Sequence, residues 1–214
     1  MSLYEMRQSY RLGSLLEKDA DADPMVQFHT WLGQAIEGDL PEWVEANAMT
    51  LSTCDPNGNV SSRVVLLKGL DDGKFWFYTN YDSAKGQQME ANANVSLCFL
   101  WQHVQRQVRI EGHVEKASRE RSISYFHKRP RDSQLGAIVS QQSSVVASRE
   151  SLEKQLDTLK TQYADGEIPC PENWGGYCVT PTTIEFWQGR ESRLHDRLRY
   201  RREGSQWVIQ RLSP

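Results

Sequence analysis

The sequence predicts a mainly β, α+β protein: an antiparallel sheet of about six to eight strands forming a small barrel, with about three flanking helices. Three observations carry this. Apolar and polar residues alternate along 105–116, where Val108, Ile110 and Val114 interleave with Gln107, Arg109, Glu111 and His113. Successive apolar runs are separated by short turns, which suit hairpins and not the long crossovers of a parallel sheet. No GxGxxG or GxxxxGK[ST] occurs, so neither common nucleotide-phosphate loop is present.

In chain order, Asp23-Pro24 reads as a helix cap followed by proline in the first turn, and Met25, Phe28, Leu32, Ala35 and Ile36 continue at helical spacing through 24–37. Strands follow at Ala48–Thr53 and Val60–Leu67, flanking the turn Asp55-Pro56-Asn57-Gly58. Asp71-Asp72-Gly73 turns the chain into the aromatic strand Lys74–Thr79, and Val95–Trp101 and Gln105–Lys116 supply two more. A helix from Ser118 to about Arg129 ends at Pro130, and Ser148–Tyr163 forms another, with Leu152, Leu156 and Leu159 on one side. Residues 166–176 read as a loop, and Leu194–Arg202 and Gln206–Leu212 close the chain as a hairpin. Residues 1–22 form a flexible N-terminal segment and 23–214 a single domain.

Composition excludes several classes. The chain has 214 residues, 38% hydrophobic and 25% charged, which fits a globular protein. The longest aliphatic run, Val64–Leu67, falls far short of the roughly 20 apolar residues of a membrane span. The N-terminus has no apolar stretch of signal-peptide type, and the four scattered cysteines suit a reducing cytoplasm. Cys98, in the run VSLCFLW, reads as a buried thiol; scattered histidines and cysteines offer no metal site.

The net charge of −3 hides an uneven distribution. Residues 1–60 hold three cations against ten carboxylates, residues 105–131 eight against three, and residues 187–202 six against two. Two concentrated basic segments on a near-neutral chain suit a small anionic ligand and argue against nucleic acid, although solvated surface charge accounts for the counts equally well.

Three clusters carry candidate chemistry. If 193–201 is a strand, Arg193, His195 and Arg197 share one face, setting two guanidiniums around a group that titrates near neutrality. Arg63 and Lys68 bracket an apolar strand with opposite parity, so they serve different groups or a bulge intervenes; charged ends of a core strand are the plainer reading. Tyr125 and Arg129 share a helix face ahead of Ser133, a trio suited to a phosphate and equally to a core tyrosine beside a surface arginine.

RVVLLK (63–68), FYTNYDSAKG (77–86), RQVRIEG (106–112), YFHKRPRDSQLGA (125–137), QQSS (141–144), WGGY (174–177) and IEFWQGRESRLHDR (184–197), in this order, resemble the pyridoxine/pyridoxamine 5′-phosphate oxidase family from about Arg7 to the last residue. The resemblance implies an FMN-binding split β-barrel and a homodimer with FMN at the subunit interface. It also implies oxidation of pyridoxine or pyridoxamine 5′-phosphate to pyridoxal 5′-phosphate, with O2 as acceptor and H2O2 as product. Carried over by position, Arg63, Lys68, Tyr78, Thr79, Ser83, Lys85, Gln107, Gln142, Ser143, Trp187 and Arg197 match FMN contacts. Lys68, Tyr125, Arg129 and Ser133 match the substrate-phosphate pocket, and Arg193 and His195 the catalytic pair against the substrate ring. Arg7 and Tyr10, in RQSY, match a segment that folds over substrate. The chain departs from the family at Ala84, where many members carry arginine; an unreplaced guanidinium is worth on the order of 1.5–3 kcal/mol. Other readings are a flavin reductase on the same barrel, a carrier without turnover, and a nucleic-acid module using 190–202. The substrate-side matches argue against the reductase, and acidic residues 1–60 argue against the nucleic-acid module.

Overall fold

The computed structural model describes residues 2–6, 8–37 and 40–214. Within these residues, nine strands form one antiparallel sheet: β1 (Ala48–Cys54), β2 (Val60–Leu66), β3 (Gly69–Asp71), β4 (Lys74–Asn80), β5 (Asn94–Trp101), β6 (Arg106–Lys116), β7 (Trp174–Gln188), β8 (Asp196–Glu203) and β9 (Gln206–Arg211). Five α-helices among the described residues flank it: α1 (Pro24–Ile36), α2 (Ala84–Ala91), α3 (Arg119–Lys128), α4 (Arg131–Val139) and α5 (Arg149–Gln162). The main path runs β2-β1-β5-β6-β7-β4-β3, with β8 on β7 and β9 outside β8. The expected small barrel is therefore split: β2 and β3 lie at opposite ends of the path and are joined only by Leu67 and Lys68, without a ladder between them.

β7 organises the sheet. Its first part pairs with β4, from Trp174 opposite Asn80 to Val179 opposite Phe75, and its last six residues pair with β8. The opposite edge follows β6, with a register shift between Glu111 and Gly112. At that bulge a Cβ on Gly112 would lie 2.2 Å from the Thr180 carbonyl oxygen, so the close backbone approach requires glycine.

The core lies between α1 and the sheet. Asp23 caps α1 by accepting from the Met25 N–H, and the helix buries Phe28, Trp31 and Ala35. Phe28 meets Phe75 and Phe99 edge-on, with both centroid distances 5.0 Å. A smaller cluster of Phe126, Leu135, Ile168 and Trp174 packs where α3 and α4 meet the start of β7. Leu15, from the N-terminal segment, is buried in the main core, and its N–H donates to Asp196 Oδ2 at 3.0 Å.

Several expectations need correction. β7 occupies part of the expected loop 166–176; most of its residues are buried, which erases the alternation that marks a half-exposed strand. Its Pro181 stands beside the bulge, where a missing N–H is tolerated. The short strand β3 and helices α2 and α4 were not anticipated either. Pro130 ends α3 as expected, but it also caps α4, which starts at the next residue. Cys98 is only half-buried, and Cys178 is the buried thiol. No helix is long and apolar enough to cross a membrane, and no cluster suited to a metal ion occurs among the described residues.

Candidate active site

A cleft of about 920 Å³ opens between β2, β4, the start of α2, the α3–α4 junction and residues 140–143. Five cations line it (Arg63, Lys68, Lys85, Lys128 and Arg129), and no aspartate or glutamate does so among the described residues. Arg63 and Lys68 meet there despite their opposite parity because β2 ends at Leu66. Lys68 lies past the strand, its N–H donating to the Trp76 carbonyl at 2.7 Å.

At one end of the cleft the polar groups are locked together. Arg63 Nη1 donates to Leu51 O at 3.2 Å and Thr53 Oγ1 at 2.6 Å, and Nη2 donates to Ser61 Oγ at 2.7 Å. Ser83 caps α2 through the Gly86 N–H. A Cβ on Gly86 would lie 2.0 Å from Tyr81 O, so glycine lets this first turn pack directly on backbone. Lys85 Nζ donates to Gln142 Oε1 at 2.6 Å and to Ser83 Oγ at 3.2 Å; Thr79 Oγ1 donates to the same Gln142 oxygen at 3.0 Å. Burial, and then the nearby Arg63 charge, bring the Lys85 pKa down to about 8. Ser143, with φ of 75°, lines the same wall.

A second group of polar side chains lines the α3–α4 side. Tyr125 stacks on Tyr78 with centroids 3.8 Å apart, and both rings lie nearly parallel to Trp174. The Arg129 guanidinium covers the Trp174 ring at 4.7 Å, and its buried Nη1 has no hydrogen-bond partner among the described residues. Burial lowers the Arg129 pKa and raises that of Tyr125. Ser133, in the first turn of α4, completes the expected trio in one cleft.

The remaining candidates form a separate cluster. Gln107, Trp187 and Arg197 are register partners across β6, β7 and β8 and so share a sheet face. His195, just before β8, lies 4.7 Å from the Trp187 ring, and Tyr10 meets both rings edge-on. Arg197 Nε donates to Glu185 Oε1 at 2.9 Å, and Nη1 donates to Ser213 O at 2.7 Å. This ion pair raises the Arg197 pKa. The expected row of Arg193, His195 and Arg197 on one strand does not form. Ser192 and Arg193 have φ of 56° and 62°, so Arg193 belongs to a turn and β8 begins only at Asp196.

Ser83 is fully buried behind Lys85 and does not line the cleft, whereas Ala84 does. Arg7 lies outside the described residues. Lys128, Glu185 and Arg190 were not anticipated. The basic run 119–131 contains Lys128, and Glu185 is the lone carboxylate in IEFWQ, but neither signal is specific. The cleft has the chemistry of a receptor for phosphate monoesters, with guanidinium and ammonium donors beside flat aromatic surfaces.

Comparisons with known proteins agree in kind. Residues 37–163 match the family described as pyridoxamine 5′-phosphate oxidase. Residues 174–214 match the pyridoxine 5′-phosphate oxidase C-terminal dimerisation region. The pyridoxine/pyridoxamine 5′-phosphate oxidase of Rhodopirellula baltica is 62% identical over 214 residues, covering 98% of this chain and 96% of that protein. PhzG from Burkholderia lata 383, solved with tetrahydrophenazine-1-carboxylic acid, superposes with a TM-score of 0.87 at 27% identity, covering 95% of this chain and 99% of its own. A pyridoxamine 5′-phosphate oxidase-related, FMN-binding protein of Nostoc punctiforme PCC 73102 shares the fold, with a TM-score of 0.69 at 17% identity, covering 94% and 100%.

Proposed function

The chain belongs to the pyridoxamine 5′-phosphate oxidase family, and from that premise we propose that it is an FMN-dependent oxidase. It converts pyridoxine and pyridoxamine 5′-phosphates to pyridoxal 5′-phosphate in the cytoplasm, with O2 as acceptor. The observation that carries this reading is the cleft with five cations and no carboxylate, which suits two phosphate groups.

The donor set fits FMN. Arg63 and Lys85 hold the FMN phosphate, and Tyr78, Thr79, Gln142 and Ser143 contact the rest of the cofactor from the same wall. Ser83 fixes the Lys85 ammonium from behind. Arg129, Lys68, Tyr125 and Ser133 take the substrate phosphate. The unpartnered Arg129 Nη1 supports that assignment, because a buried donor without an acceptor costs about 1–3 kcal/mol and an anionic oxygen removes the cost.

Among the described residues, no side chain lines both the cleft and the His195 pocket. Trp187, Arg193, His195 and Arg197 all belong to the segment that matches a dimerisation region. In a homodimer, this cluster of one chain, with Gln107, completes the cleft of the other, and FMN lies at the interface. Arg193 orients the substrate ring and balances developing charge, His195 holds the C4′ substituent, and Tyr10 and Arg7 cover the substrate. When bound, FMN supplies a two-electron acceptor for the C4′ centre, and O2 takes those electrons on as H2O2. The amine substrate additionally consumes water and releases ammonia.

The test is the visible spectrum of the purified protein, followed by peroxide release on adding pyridoxine 5′-phosphate. Bound FMN and one peroxide per aldehyde support the reading; a protein that binds no FMN and releases no peroxide overturns it.

A further inference from the structure

The turn that carries His195 decides which ring nitrogen holds the proton. The Arg190 backbone N–H donates to His195 Nδ1 at 3.0 Å. A backbone N–H needs a lone pair, so Nδ1 is unprotonated and the proton of the neutral ring sits on Nε2. Turning the ring over would set the Arg190 N–H against a carbon and leave it unsatisfied.

The turn is built around this contact. Ser192 and Arg193 both take left-handed backbone, which brings the chain back so that residue 195 reaches residue 190. The Leu194 N–H donates to Glu191 O at 3.1 Å, and Arg190 Nη1 donates to Asp196 Oδ2 at 3.3 Å, pinning both ends. Trp187 and Tyr10 hold the imidazole from two sides. The carboxylates of the turn are already engaged, Glu191 with Arg11 and Asp196 with Arg190 and Arg211. Among the described residues, no carboxylate hydrogen-bonds the ring. This inverts the arrangement of a histidine base, in which an acceptor at Nδ1 leaves a lone pair on Nε2.

We propose that the Arg190–His195 turn locks His195 as the Nε2–H tautomer, so that His195 serves the oxidation as a hydrogen-bond donor to the substrate's C4′ oxygen or nitrogen and not as a base. The role rests on the oxidase reading above; the tautomer does not. Burial and the Arg193 charge also lower the His195 pKa, which favours the neutral ring. The hydroxyl proton of an alcohol substrate then leaves to solvent.

The test is the ¹⁵N imidazole spectrum of the FMN-loaded protein without substrate, with His195 assigned by loss of its signals in His195→Gln. A pyridine-like Nδ1 and a pyrrole-like Nε2 at neutral pH are expected; the reverse pattern, or protons on both nitrogens, overturns the tautomer. Turnover tests the role separately in variants shown by their spectra to retain FMN. Gln supplies an N–H donor near the Nε2 position but no base. His195→Gln should stay within about tenfold of the parent kcat while His195→Leu falls by about a hundredfold or more; equal large losses in both would mean a base. A protein that leaves B6 phosphates unoxidised yet shows the expected nitrogens would overturn the proposed function and leave the tautomer standing.

Discussion

Lys85 Nζ and Gln142 Oε1 meet at 2.6 Å across 57 residues of chain, tying the first turn of α2 to the loop after α4. The same oxygen accepts from Thr79, so one amide holds three pieces of the cleft wall. Gln142→Ala removes this link without touching the core. Loss of a charge-assisted bond of about 1.5–3 kcal/mol should weaken FMN binding by about tenfold or more. Quenching of flavin fluorescence on titration measures it, and unchanged affinity would separate the loop from the FMN site.

The Lys85 pKa of about 8 gives FMN binding a pH dependence. Phosphate attracts the charged ammonium, so binding raises the lysine's pKa. Affinity is therefore full below the free-protein value and falls as pH rises through about 8 towards the value in the complex. Titrations between about pH 7 and about pH 10 should show this decline in the parent and not in Lys85→Met. A parent with affinity independent of pH would contradict the role given to Lys85.

Arg129 presents a buried, unpartnered Nη1 beside Tyr125 and Ser133. Arg129→Met should raise KM for pyridoxine 5′-phosphate by about a hundredfold, as expected for a bidentate charged contact worth about 3 kcal/mol. FMN content should be retained. Steady-state kinetics with the phosphorylated and dephosphorylated substrates would separate the effects, because the dephosphorylated form should lose little. Equal losses for both would place Arg129 away from the phosphate.

Glu185 is buried between Arg197 and Arg109, at 2.9 and 3.6 Å. Glu185→Gln keeps the shape and removes the charge, leaving two cations facing each other. The expected cost is about 1–3 kcal/mol of stability, read by urea denaturation, together with weaker FMN binding as Arg197 loses its orientation. Unchanged stability would show that solvent already screens the network.

Legibility followed the kind of interaction that shapes each element. α1 was readable because Asp23 and Pro24 act locally, and the β1–β2 hairpin because its turn residues force it. β7 was hidden because burial removes alternation, and α4 because Pro130 both ends one helix and caps the next. In the site, Tyr125, Arg129 and Ser133 line one cleft, but not by helical spacing: Arg129 is extended backbone past the end of α3, and Ser133 stands on α4. Arg63 and Lys68 also converge, because the strand stops before Lys68. The left-handed residues at 192 and 193 have no side-chain signature, so the row of Arg193, His195 and Arg197 could not be judged from parity.

The central claim is that each site joins the cleft of one chain to the His195 cluster of the other, and subunit complementation tests it most directly. Arg63→Met and Arg197→Met chains, each inactive alone, would be co-expressed and peroxide release measured. If sites are shared, every mixed dimer keeps one site free of both substitutions, and a random mixture should recover about a quarter of parental activity. No recovery from confirmed mixed dimers would contradict the claim and place both clusters' work within a single chain.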